Sequence, residues 1–146
     1  IILDTDLRTS LTSRLIKDCK SKERPVLIAG GKGASSKKKA SLERAGASVI
    51  LLPRKDKRIN LYSLMRYLAT NGVLSVLCEG GSEVAASLLK DRLADEAYFF
   101  ISPKIIGGRT APTSFGGITS DIRKSARLKN IMSQRIGGDI LIRGYL

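Results

Sequence analysis

Cys78-Glu79-Gly80-Gly81-Ser82 brings together residue types that can hold an anionic ligand beside a polar one. It follows the apolar run Val73-Leu74-Ser75-Val76-Leu77 and opens a helical pattern, Glu83-Val84-Ala85-Ala86-Ser87-Leu88-Leu89-Lys90. A strand, two glycines and a helix start, in that order, build an anion site. The glycines let the backbone approach a ligand, and the first-turn N–H groups carry partial positive charge. Glu79 stands at the lip of that site, where a carboxylate accepts hydrogen bonds from hydroxyls or amides. The pattern suits a phosphate-bearing ligand lying beside a polar one. Two glycines at a strand-to-helix turn also serve tight packing, so the spacing alone leaves Gly80 and Gly81 open between the two roles.

Other chemistries are limited by what the chain lacks. It has no histidine, so proton transfer falls to a carboxylate, a lysine or water. Cys19 and Cys78 fit no paired metal-ligand spacing, no metal is expected, and both read as free thiols in a reducing cytoplasm. No apolar run approaches the roughly 20 residues that span a bilayer, and no signal peptide is visible. The chain begins with Ile1-Ile2-Leu3, which already reads as a strand and suggests a piece whose natural beginning lies upstream.

The net charge is +13, from 26 Lys/Arg against 13 Asp/Glu. Residues 1–58 carry 15 of the basic and 6 of the acidic side chains, so most of the surplus lies in the first part. Lys37-Lys38-Lys39 and Arg54-Lys55-Asp56-Lys57-Arg58 form clusters that attract phosphates. They lack interleaved aromatics, and no helix-turn-helix, zinc-finger or RNA-recognition signature accompanies them. A solvated basic face on a small-anion-binding protein is therefore favoured over a nucleic-acid partner.

The elements that must position these residues alternate. Helical spacing over 11–19 is followed by a buried strand at 25–29 and a loop, Gly30-Gly31-Lys32-Gly33. Ser35 or Ser36 caps a helix to about Ala45, and Gly46 fits its stop. Then come a strand at 48–52, a helix capped by Asn60, a strand at 73–78 and a helix at 82–90. Alternation of this kind predicts an α/β fold with a largely parallel sheet covered on both faces. The last third differs: a strand at 96–101, a glycine-rich stretch through Gly116-Gly117, and two strand-like runs, 127–136 and 139–145, joined by the hairpin signal Gly137-Gly138. No repeat or linker interrupts the chain, and 146 residues are expected to form a single domain.

Three motifs in order carry a family resemblance. Val76-Leu77-Cys78-Glu79-Gly80-Gly81-Ser82, then Leu88-Leu89 with Leu93-Ala94-Asp95-Glu96, then Ile101-Ser102-Pro103-Lys104-Ile105-Ile106-Gly107-Gly108 together resemble the C-terminal reductase domain of RibD-type riboflavin-biosynthesis proteins. The opening Ile2-Leu3-Asp4-Thr5-Asp6-Leu7-Arg8 and the ending Gly137-Gly138-Asp139-Ile140-Leu141-Ile142-Arg143-Gly144-Tyr145 resemble it too. The resemblance implies a three-layer α/β/α, dihydrofolate reductase-like fold with a mostly parallel sheet and an antiparallel C-terminal hairpin.

It also implies an activity: NADPH-dependent reduction of the ribosyl group of 5-amino-6-(5-phosphoribosylamino)uracil to a ribityl chain. The related reductase acting on the 2,5-diamino pyrimidine shares these motifs, and a non-catalytic dinucleotide- or nucleic-acid-binding module is the alternative from another class. Carried over, Glu79 contacts the substrate; Thr5 and the turn made by Gly81, Ser82, Glu83, Val84, Ala85, Ala86 and Ser87 hold NADPH. No catalytic side chain is assigned. Lys32, Ser35 and Lys37 are candidates for the 2′-phosphate, with an ordinary basic surface loop as the competing reading. Arg109 is a candidate for the active-site loop; Asp95 reads as a turn or cap, and Pro103 with Gly107-Gly108 shapes the following loop. The family's upstream reductase segment and any deaminase domain are absent from these residues. Family members commonly pair through this domain, so a cytoplasmic homodimer is expected.

Overall fold

The structure, a computed structural model, describes residues 1–19, 25–108, 110, 111, 113–116 and 125–146. The chain divides into two compact units, Ile1–Ser75 and Val76–Leu146.

In the first unit, β1 (Ile2–Leu3), β2 (Leu27–Gly31) and β3 (Ser48–Leu52) form a parallel sheet in that order. Ile28 pairs with Ile2 on one side and Val49 on the other. Side chains alternate across a strand, so β2 and β3 feed two separate cores. Ile28 and Val49 pack with Ile16 of α1 (Arg14–Asp18), Leu42 of α2 (Ser36–Arg44) and Leu7 on one face. Ala29 and Leu52 pack with Leu64 and Leu68 of α3 (Leu61–Thr70) on the other. Helices thus cover both faces of this sheet, the three-layer arrangement that the alternation predicts.

Both predicted caps form. Ser35 Oγ accepts from the Lys38 N–H at 3.3 Å, and Asn60 Oδ1 from the Ser63 N–H at 3.0 Å. The observed β2 runs two residues later than expected, so Gly30 and Gly31 belong to the strand and not the loop. The shift has a packing reason: a Cβ at Gly30 would lie 2.9 Å from both Leu51 Cδ2 and Leu7 Cδ2. Leu7 itself is fully buried although its φ is +54°. Between β3 and α3, the basic run 54–58 folds into an unexpected hairpin of β4 (Arg54–Lys55) and β5 (Arg58–Ile59). Its two turn residues, Asp56 and Lys57, have φ of +50° and +63°, the pair of positive values that a type I′ turn requires.

The strand expected at 73–78 does not form. A strand makes no hydrogen bonds within itself and exists only against a paired neighbour. None of the strands formed by the described residues pairs with this run, and Leu74 and Leu77 are 99% and 76% exposed. The apolar run records a capacity for burial, and pairing is a non-local matter that it cannot specify.

The second unit begins with α4 (Ser82–Lys90), followed by the antiparallel sheet β6-β8-β7, made by β6 (Glu96–Ile101), β8 (Asp139–Tyr145) and β7 (Lys129–Ile136). The predicted hairpin is present, with Ile136 opposite Asp139 and Gly137 at φ +59°. A register shift between Lys129 and Met132 puts Asn130 at φ +48°, a conformation asparagine tolerates well. No helix of the described residues is long and apolar enough to cross a membrane.

Candidate functional site

The predicted site residues fall in both units: Thr5 in the first, Glu79 and residues 81–87 in the second.

In the second unit the Glu-Gly-Gly turn opens α4 as expected. Gly81 is the N-cap, and its carbonyl accepts from the Val84 N–H at 3.0 Å and the Ala85 N–H at 3.2 Å. The Ser82 amide, at the start of the helix, has no acceptor within the helix and is the one available to an anion. No atom lies within 4 Å of where a Gly81 Cβ would stand, and a Cβ at Gly80 would lie 3.4 Å from Val84 Cβ. The Gly80 distance is ordinary van der Waals contact, so packing requires glycine at neither position. Glu79 is exposed and makes no hydrogen bond or ion pair to another described residue. Ser82 accepts from the Gly116 N–H at 3.1 Å through its carbonyl, and the Glu83 carboxylate lies against Gly116. Ser87 Oγ donates to the Glu83 carbonyl at 2.7 Å. Ala86 is buried, so its side chain serves the core of the unit and only its backbone borders the turn.

On the sheet of the same unit, the Arg143 guanidinium hydrogen-bonds the Glu96 carboxylate, whose other oxygen accepts from Tyr98 Oη at 2.9 Å. The Arg143 hydrogen bond holds the Glu96 carboxyl below the usual carboxylate range against the opposing effect of burial. Hydrogen bonding to Glu96 in turn raises the Tyr98 phenol and the Arg143 guanidinium. This network ties β6 to β8. Asp95, expected at a turn or cap, accepts the Leu146 N–H through its carbonyl at 3.0 Å. Arg109 and Gly117 lie outside the described residues.

In the first unit the C-terminal ends of β1, β2 and β3 meet, the edge at which open parallel sheets receive ligands. Thr5 lies there, half-buried. Its carbonyl accepts from the Gly31 N–H at 2.9 Å and from Arg54 Nη2 at 3.3 Å. Arg54 Nε also donates to the Lys32 carbonyl at 2.9 Å, and Nη1 pairs with Asp6 Oδ1 at 3.0 Å. Arg54 is thus committed to carbonyls and a carboxylate, a role its place in a basic run does not suggest. Lys32 and Lys37 are exposed near the same edge, while the Ser35 hydroxyl is taken by its own helix.

Asp4 closes the loop that carries Thr5. Its Oδ2 accepts from both the Thr9 N–H and Thr9 Oγ1 at 2.6 Å. Burial pushes the Asp4 carboxyl up, but hydrogen bonds from the Thr9 hydroxyl and the Arg8 and Thr9 amides, with the Arg8 charge, outweigh it and leave the pKa lowered. A lowered folded-state pKa means the anion stabilises the fold above the ordinary carboxylate value, and that contribution is lost as pH falls through the folded one. Chemical denaturation between pH 6 and pH 3 is therefore expected to show stability declining below about pH 4. Asp4→Asn is expected to flatten that decline, and an unchanged acid slope in the variant would contradict the assignment.

A parallel sheet under helices, a glycine turn at a helix start and a C-terminal antiparallel hairpin make this an α/β protein with a ligand-facing strand edge. The family model of the RibD C-terminal domain matches residues 1–142, and the chain belongs to that family. It is 29% identical to the riboflavin biosynthesis protein RibD of Actinobacillus pleuropneumoniae over 97% of its own length and 37% of that protein's. It is 30% identical to the 2,5-diamino-6-ribosylamino-4(3H)-pyrimidinone 5′-phosphate reductase of Methanothermobacter thermautotrophicus, over 97% of this chain and 63% of the relative. Among solved structures, Acinetobacter baumannii RibD superposes with a TM-score of 0.78 at 21% identity, covering 99% of this chain and 36% of that one. The chain thus spans between about a third and two thirds of the length of these relatives. The α/β fold with a parallel sheet and an antiparallel hairpin expected from the resemblance is shared with this solved RibD structure.

Proposed function

We propose that this chain is the C-terminal part of a single reductase domain of riboflavin biosynthesis. The full domain would reduce the ribosyl group of 5-amino-6-(5-phosphoribosylamino)uracil to the ribityl product with NADPH. Membership in the RibD C-terminal domain family and relatives named as reductases support the reaction class. The observation that carries the cofactor reading is Gly81: it caps α4 with open space where a side chain would stand, beside the Ser82 amide at the positive end of the helix. That cradle fits a pyrophosphate, with Ser82, Glu83, Val84, Ala85, Ala86 and Ser87 forming the first two turns behind it. Thr5 serves the cofactor from its loop, because its hydroxyl makes no hydrogen bond to another described residue. Lys32 and Lys37 supply positive charge for the 2′-phosphate. Exposed Glu79 accepts hydrogen bonds from the pyrimidine–ribose substrate. NADPH supplies the hydride, and the protein's part is to hold substrate and cofactor in register and exclude water. The 2,5-diamino pyrimidine is the competing substrate, since relatives of both names match at similar identity.

Tyr98, Phe100 and Met132 are 46%, 64% and 65% exposed on one face of the antiparallel sheet, beside the Glu96–Arg143 pair. A second copy of the chain is the proposed cover, in a cytoplasmic homodimer.

A titration of the natural full-length protein with NADPH, and with NADH as control, tests the reading. Saturable binding that prefers NADPH is expected, weakened at least about tenfold by Gly81→Asp. The aspartate fits without strain, because Gly81 has φ −49° in open space, and it is a favourable N-cap. Loss of affinity would therefore report charge at the phosphate site and not unfolding. Equal binding by the variant would remove the cofactor from this turn.

A further inference from the structure

We infer that Arg54 is a positioning residue of the cofactor site, holding the Thr5 loop and the turn after β2 at a fixed spacing on the C-terminal edge of the parallel sheet. The inference rests on the NADPH reading above and adds a residue to which that reading gives no role.

The Arg54 geometry is that of a staple. The β4–β5 hairpin folds back through its two positive-φ residues, and the Asn60 N–H closes its base on the Pro53 carbonyl at 2.9 Å. This delivers one planar guanidinium to three acceptors: the Lys32 carbonyl at 2.9 Å, the Thr5 carbonyl at 3.3 Å and the Asp6 carboxylate at 3.0 Å. The Thr5 and Lys32 carbonyls lie on separate connections, one after β1 and one after β2. A rigid five-donor fork can hold both at once, which an ammonium on a flexible stem cannot. Gly31 completes the arrangement. Its N–H donates to the same Thr5 carbonyl at 2.9 Å, and a Cβ there would lie 2.6 Å from Arg54 Nε. Gly31 is therefore the residue that leaves room for the guanidinium. The side chains that NADPH is proposed to meet, Thr5 and Lys32, are oriented by backbone atoms that Arg54 grips.

Steady-state kinetics of the full-length protein test this with Arg54→Lys, Gly31→Ala and the double variant. Gly31→Ala keeps the arginine but displaces it, so the test does not depend on one variant folding. Each single change is expected to raise the KM for NADPH about tenfold, the worth of a charge-assisted hydrogen bond, with kcat and the pyrimidine KM within about twofold. The double variant is expected to match the singles, because both act through one contact. Lysine at 54 is expected not to rescue, since it keeps the charge and loses the fork. A fall in kcat with KM unchanged would mean a merely structural role and overturn the inference, as would additive effects in the double variant. Normal NADPH kinetics in both single variants would overturn this inference alone, whereas an unaltered protein that does not use NADPH would overturn it together with the reading beneath it.

Discussion

Glu79→Gln is expected to lower turnover of the pyrimidine substrate about 10- to 100-fold while NADPH affinity stays within about twofold, the range spanned by losing charge-assisted hydrogen bonds. The carboxylate is exposed and makes no hydrogen bond or ion pair to another described residue, so the fold does not depend on it and the variant should melt as the parent does. Its proposed task is to accept hydrogen bonds, which it does with two oxygens when ionised. Glutamine keeps the volume but replaces one acceptor with a donor. A ribose hydroxyl or pyrimidine amide aimed at that atom then meets a donor. The effect should fall on the substrate's kcat/KM and leave cofactor binding intact. Unchanged turnover would mean that Glu79 has no role in substrate binding, and a parallel loss of NADPH affinity would assign it to the cofactor.

The largest stability effect is expected at Leu7. Its side chain is fully buried in the core shared by Ile16, Ile28 and Leu42, and it comes close enough to β2 to exclude a Cβ at Gly30. Leu7→Ala is expected to cost about 2–5 kcal/mol in urea denaturation, the range for a large buried aliphatic truncated in a packed core. The positive φ of Leu7 carries strain of roughly 1–2 kcal/mol that alanine retains, so it cancels in the difference and the expected loss is that of the packing. Because Leu7 anchors the loop between Asp4 and Thr9, the variant should also bind NADPH more weakly through a misplaced Thr5. A loss below about 1 kcal/mol would mean that this loop is not packed on the sheet as described.

The legible parts of the fold are those specified by local pattern. The apolar runs of β3, β6 and β8, the spacing of α3 and α4, the Ser35 and Asn60 caps and the Gly137-Gly138 turn all act within a few residues, and each formed where the pattern put it. What escaped the sequence either lacks a local signal or is non-local. The β4–β5 hairpin is made of two-residue strands in which Ile59 is the one apolar side chain, and its turn has no glycine to announce it. The run at 73–78 has a strand's composition but no paired edge. The site divides in the same way. The Glu79–Gly81 turn is visible because glycine spacing and helix start are adjacent in the chain. The Thr5–Gly31–Arg54 cluster is not, because its contacts join positions 22 and 49 residues apart. A basic run looks alike whether its arginine faces solvent or grips two carbonyls.

The central claim is most directly tested by following NADPH oxidation in the natural full-length protein, with 5-amino-6-(5-phosphoribosylamino)uracil and, in parallel, the 2,5-diamino pyrimidine as substrates. The account predicts oxidation that depends on the uracil substrate, with the ribityl compound formed in equal amount to the NADPH consumed. Oxidation only with the diamino compound would place the chain in the other reductase branch. No substrate-dependent oxidation with either, from a folded protein that had NADPH bound, would contradict the assignment as a reductase.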